Sequence, residues 1–75
     1  MRRKPKYLVI YEKEGRSYGA FVPDLPGCVA TGRSLATVRK RIREAIAMHV
    51  EDMISRGMRL PVPVAESEYV RAIPA

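Results

Sequence analysis

His49 and Cys28 are the side chains of this sequence best suited to acid–base or nucleophilic chemistry, and each residue type occurs once. A general base needs a nucleophile or an oriented water within reach, and no spacing around His49 is diagnostic of a catalytic triad. A zinc site needs about three protein ligands, which one histidine, one cysteine and scattered carboxylates do not indicate. We therefore expect no catalysis, no metal and no other cofactor, and we interpret His49 as a core or interface residue.

Cys28 has no second cysteine with which to form an internal disulfide, and this fits a reducing cytoplasm. It lies between Gly27 and Val29 at the start of an expected strand, where a buried, inert thiol is the commoner case. No apolar run approaches the ~20 residues that a membrane span requires. These features predict a soluble, cytoplasmic protein that does not contact the membrane.

Positive charge is the second chemical feature, because the formal net charge of the 75 residues is +6. Much of the excess lies before the first expected strand, in Arg2, Arg3, Lys4 and Lys6. A second cluster lies within the expected helix and includes Arg39, Lys40 and Arg43. Such clusters are either solvated surface or contacts to an anionic partner. We expect any nucleic-acid binding through these residues to be weak and non-specific.

Three short strands are predicted ahead of a helix. Residues 7–11 are β-rich, residues 13–16 form a polar turn that contains glycine, and residues 17–22 form the second strand of a hairpin. The two prolines of residues 23–27 make a rigid connection, with a type II turn at Pro26 and Gly27. Residues 28–31 then form a third strand, after which Gly32 turns the chain into the helix.

One long helix is predicted after Ser34, which is a good N-cap residue. Apolar residues recur at steps of three and four from Leu35 to Ile54 and describe one helix face. Gly57 ends the helix as its C-terminal cap. Pro61 and Pro63 follow in an extended segment, and the partial alternation of residues 66–73 suggests a fourth strand.

The resulting order is β-β-β-α-β, which predicts an α+β fold in which the helix packs on one face of an antiparallel sheet. We expect residues 1–6 to be a disordered basic tail and residues 7–75 to form a single domain. A chain of this length supports only a modest core. Because the other sheet face has no cover, with Leu8 and Ile10 available to pack there, we expect a homo-oligomer, either a dimer or a tetramer.

The block Pro23-Asp24-Leu25-Pro26-Gly27-Cys28 resembles the HicB antitoxin family. In that family a Tyr-rich strand leads into this block, as residues 18–22 do here, and a glycine and a helix-capping residue follow, matched by Gly32 and Ser34. Residues 44–46 match a Glu-Ala-Ile sequence in mid-helix, and Gly57 with the two later prolines matches the helix exit. The resemblance covers residues 7 to about 63.

The resemblance implies a non-catalytic antitoxin of a toxin–antitoxin system. HicB proteins bind HicA toxins, which are small ribonucleases, and occlude the active surface of the toxin. We expect the partner to contact Tyr18, Asp24 and Leu25, in and beside the rigid loop. The alternative is a small basic nucleic-acid-binding domain that acts without a toxin.

Overall fold

The computed structural model describes residues 5–73. Its elements are β1 (Ile10–Glu14), β2 (Ser17–Phe21), β3 (Val29–Gly32) and α1 (Leu35–Ser55). The three strands form one antiparallel sheet in the order β1-β2-β3. The helix packs on one face of this sheet against β2 and β3, which confirms the predicted α+β class with one long helix.

The β1–β2 hairpin closes through a two-residue turn at Gly15 and Arg16, because Glu14 pairs directly with Ser17. Gly15 has a φ of 59°, whereas Arg16 has a negative φ. A positive φ at the first central residue alone defines a type II′ turn, which favours glycine at that position. The turn occupies the predicted place, but β1 begins and ends three residues later than the predicted strand of residues 7–11. Because the turn contains only two residues, β1 and β2 stay paired through the charged residues 12–14.

The predicted fourth strand is not confirmed, since no part of residues 58–73 is assigned to a strand. This segment, which we call the C-terminal arm, is extended and brings residues 67–69 beside residues 8–11, next to β1. A cavity of about 350 Å³ lies between the two stretches. Pro61 and Pro63 lack the N–H that a strand ladder requires, so pairing is disfavoured where the arm begins.

The helix is capped at both ends by residues that the sequence predicts. The Ser34 hydroxyl accepts a hydrogen bond from the Thr37 N–H at 3.1 Å. At the other end Gly57 has a φ of 70°, and the N–H groups of Gly57 and Met58 donate to the carbonyls of Ile54 and Met53. This pair of bonds is the Schellman arrangement.

The core lies between the helix and the sheet and consists of six buried apolar residues, Ala20, Val22, Leu25, Cys28, Val38 and Ile42. Three of these side chains have no exposed surface: Leu25, Val38 and Ile42. Truncating such a residue to alanine typically costs about 2–5 kcal/mol. In a domain of marginal stability this is a large part of the free energy of unfolding.

Candidate functional site

The loop between β2 and β3 is built from two consecutive turns. The Leu25 N–H donates to the Val22 carbonyl at 3.0 Å, and the Cys28 N–H donates to the Leu25 carbonyl at 3.0 Å. Gly27, at the third position of the second turn, has a φ of 85°, which makes this the predicted type II turn. The Val22 N–H closes the loop by donating to the Cys28 carbonyl at 3.2 Å.

Asp24, at the exposed end of this loop, is bound to the C-terminal arm. Its Oδ2 accepts hydrogen bonds from the Val64 N–H at 3.1 Å and the Ala65 N–H at 3.0 Å. The Tyr7 hydroxyl makes a second link by donating to the Pro61 carbonyl at 2.7 Å. Burial first, and the nearby Asp24 carboxylate second, raise the pKa of Tyr7 above its ordinary value. The loop and the start of the arm therefore form one connected surface.

The three residues expected to contact a partner lie in different environments. Asp24 is half-buried and engaged with the arm. Leu25 is completely buried, so its side chain supports the loop from inside and presents no surface to a partner in this structure. Tyr18 is half-buried against the core, and the Lys13 ammonium lies 5.8 Å from the centre of its ring.

The two residues with side chains suited to catalysis differ in burial. Cys28 is buried in the core, as the sequence predicts, and burial raises the pKa of its thiol. His49 is half-buried on the helix. Within residues 5–73, no group of three or more His, Cys, Asp or Glu side chains is placed to hold a metal ion.

The helix cations are exposed and distributed around the helix. Arg39 lies over the Tyr11 ring on the β1 side, 5.8 Å from its centre, whereas Arg41 donates to the Thr31 carbonyl on the β3 side at 2.8 Å. Lys40 and Arg43 are also exposed. Three of the four tail cations, Arg2, Arg3 and Lys4, lie outside the described residues, and Lys6 is exposed.

The link between Asp24 and the arm is the feature that sequence reasoning missed. The two hydrogen bonds join residues 40 and 41 positions apart, and the Tyr7 bond spans 54 positions. No local pattern reports a contact at such a distance.

A family model described as "HicB_like antitoxin of bacterial toxin-antitoxin system" matches residues 7–74. The chain belongs to this HicB-like antitoxin family. The match includes the hairpin, the loop, the helix and the whole of the arm. No helix in the described part of the chain is long and apolar enough to cross a membrane.

Individual curated proteins are also similar to this chain. The chain is 33% identical to an uncharacterised 14.9 kDa protein of Haemophilus phage HP1 over 64 residues, which are 85% of this chain and 48% of the phage protein. It is 34% identical to a UPF0150 protein of Thermoplasma acidophilum over 68 residues, 89% of this chain and 99% of that protein. The chain thus spans about half the phage protein and nearly all of the archaeal one.

A solved structure, the HicA3 and HicB3 toxin–antitoxin complex, contains a chain with this fold. The match has a TM-score of 0.65 and 30% sequence identity, and it covers 80% of this chain and 70% of the other.

Proposed function

We propose that this HicB-like protein is a non-catalytic antitoxin that binds a HicA-type ribonuclease toxin and occludes its active surface. The observation that carries the proposal is the similarity, at a TM-score of 0.65, to a chain of the HicA3 and HicB3 complex. Inhibition by occlusion requires shape and charge complementarity rather than reactive groups. A buried Cys28 and a half-buried His49 are compatible with inhibition by occlusion.

The direct test uses a HicA-type protein, which should first be sought among the open reading frames adjacent to the gene for this chain. Expression of that protein alone should arrest growth, and co-expression of this chain should restore it. The purified pair should co-elute from a sizing column, and one equivalent of this chain should abolish cleavage of a test RNA. RNA cleavage that continues in the presence of an excess of this chain would contradict the proposal.

The second candidate function, nucleic-acid binding without a toxin, is favoured by the unpaired state of the helix cations. Among residues 5–73 a single salt bridge is present, between Arg56 and Asp52, so Lys40 and Arg43 have no acidic partner there. Binding to a 20-nucleotide RNA should then weaken steeply between 50 and 200 mM salt. Deleting residues 1–6 should abolish most of it. If the truncated protein binds unchanged, the helix cluster is the binding site.

A further inference from the structure

The sheet face opposite the helix carries two different kinds of side chain. Residues that pair directly across an antiparallel sheet lie on the same face, and Tyr11, Ala20 and Ala30, which form one such row, pack against the helix. The rows on either side therefore point away from the helix. We call this uncovered side, within residues 5–73, the open face.

The open face is apolar at one end and acidic at the other. Its apolar row is Ile10, Phe21 and Val29, and Val29 is 62% exposed. The next row is Glu12, Gly19 and Thr31, followed by the pair Glu14 and Ser17. Both carboxylates are exposed, and neither forms a salt bridge with another residue of the described range.

Gly19 creates a hollow between these two ends. The hollow has a volume of about 500 Å³, and its walls include Glu12, Lys13, Glu14, Ser17, Phe21 and Thr31. The Lys13 ammonium lies over the Tyr18 ring, and this pair belongs to the side of the sheet that faces the helix. A Cβ atom added to Gly19 would meet nothing closer than the Ala30 carbonyl oxygen at 3.9 Å. The backbone at Gly19 does not have a positive φ, so the glycine is not required by its conformation. Because Gly19 has no side chain, the space above the middle strand β2 is empty at this position.

We propose that this hollow receives an arginine or lysine side chain of the toxin, and that the open face is the toxin-binding surface; this inference rests on the proposed antitoxin function. A long cationic side chain can lay its methylene groups on Phe21 while its charged end meets Glu12 and Glu14. Apolar contact at Ile10 and Val29 would then exclude water from the ion pair. This is the arrangement of a binding hot spot.

Charge distribution selects this occupant over the alternatives. The chain has a net charge of +6, and Arg39, Lys40 and Arg43 lie on the helix on the opposite side of the sheet. A cationic partner is repelled by the helix and attracted by the two carboxylates. A nucleic acid would be repelled by the same carboxylates. A second copy docked face to face across a twofold axis would bring a second pair of carboxylates to the same contact.

The test is the substitution Gly19→Lys, which places a lysine side chain of the protein itself in the hollow. Glu12 lies directly opposite position 19, so the new lysine can pair with it across the strands, and the melting temperature should be unchanged or higher. Affinity for the HicA-type protein used in the direct test of the antitoxin function, measured by calorimetry, should fall about tenfold or more. The unmodified chain is measured in parallel, so a failure of the antitoxin function itself is visible as absent binding before any substitution.

A charge-matched pair of variants gives the second arm of the test. The double substitution Glu12→Gln and Glu14→Gln should weaken binding about tenfold and reduce its salt dependence. Glu44→Gln with Glu51→Gln on the helix makes the same change in net charge and should leave affinity within about twofold. Full affinity in Gly19→Lys, or equal losses in the two double variants, would overturn the proposal while leaving the antitoxin function intact. If Gly19→Lys abolishes self-association but keeps its affinity for the toxin, the open face binds a second copy of the chain. This result would also overturn the proposal.

Discussion

Asp24 and Leu25 are neighbours in one rigid loop, yet Asp24 is hydrogen-bonded to the arm whereas Leu25 is fully buried in the core. The sequence predicts the turn itself, because prolines and a glycine restrict φ locally. It cannot predict which of two adjacent side chains points inward, because the direction depends on how the loop meets Val38 and Ile42. The partner of Asp24 is equally non-local, since the arm returns to it only after the helix has been built.

Removing the Asp24 carboxylate should release the start of the arm. In Asp24→Ala the Val64 and Ala65 N–H groups lose their charge-assisted acceptor, and hydrogen bonds of this kind contribute about 1–3 kcal/mol. Hydrogen exchange at these two amides should accelerate about tenfold or more, and Asp24→Asn should give a smaller effect because it keeps a neutral acceptor. Unchanged exchange in Asp24→Ala would contradict the link, and toxin affinity measured on the same variant tests recognition by this residue.

Burial of Cys28 predicts a loss of stability at alkaline pH. Because its pKa is raised above the ordinary value of 9.0 in the folded state, the unfolded thiol ionises first. Its contribution to stability is therefore fully present below pH 9.0 and is lost as the pH rises through the folded pKa. The melting temperature should fall above this pH, and Cys28→Ala should make that fall shallower after correction for the variant's lower starting stability. Parallel curves for the two proteins above pH 9 would exclude the thiol as a cause.

At the level of elements, the boundaries of a helix or strand are predicted correctly where a local sequence signal, such as a cap residue, marks them. Ser34 and Gly57 define the helix because cap geometry depends on a few neighbouring residues. The start of β1 is misplaced because β propensity marks the apolar residues 7–11, whereas the strand pairing is set by the Gly15 turn and includes the charged residues 12–14. The fourth strand is not confirmed because pairing needs a suitable edge as well as a suitable sequence.

The Ser34 cap is a direct test of the helix. Ser34→Ala removes the acceptor of the Thr37 N–H and should cost about 1 kcal/mol, which corresponds to a fall of roughly 4–8 °C in melting temperature for a domain of this size. Ser34→Asp keeps an acceptor at the cap and should melt close to the unmodified chain. Ser67→Ala, in the exposed arm, serves as the control. Equal melting temperatures for the Ser34→Ala variant and the unmodified chain would show that the cap contributes nothing.

At the scale of the whole molecule, the chain is more extended than a compact domain of its length. Its radius of gyration is 14.7 Å, compared with about 11 Å for a compact chain of this size. The arm accounts for much of the exposed apolar surface of residues 5–73, because six of the nine exposed large apolar residues in that range lie within it: Met58, Val62, Val64, Tyr69, Val70 and Ile73. If these side chains form a contiguous patch, the arm is the surface on which an interaction is to be sought first.

Self-association through the arm is the prediction that follows from this shape. Within residues 5–73, β1 and β3 are the outer strands of the sheet, and outer strands can pair with another strand. Tyr69 and Val70 are essentially outside the fold, at 107% and 77% exposure, so replacing both with serine should not destabilise the monomer. Sedimentation equilibrium at micromolar concentration should show the unmodified chain as a dimer or tetramer and the double variant as an 8.5 kDa monomer.

Met48→Ser removes a similarly exposed side chain from the helix and should leave the oligomer intact. A monomeric unmodified chain would refute self-association, and an oligomeric double variant would move the contact away from the end of the arm, with the open face as the next surface to test.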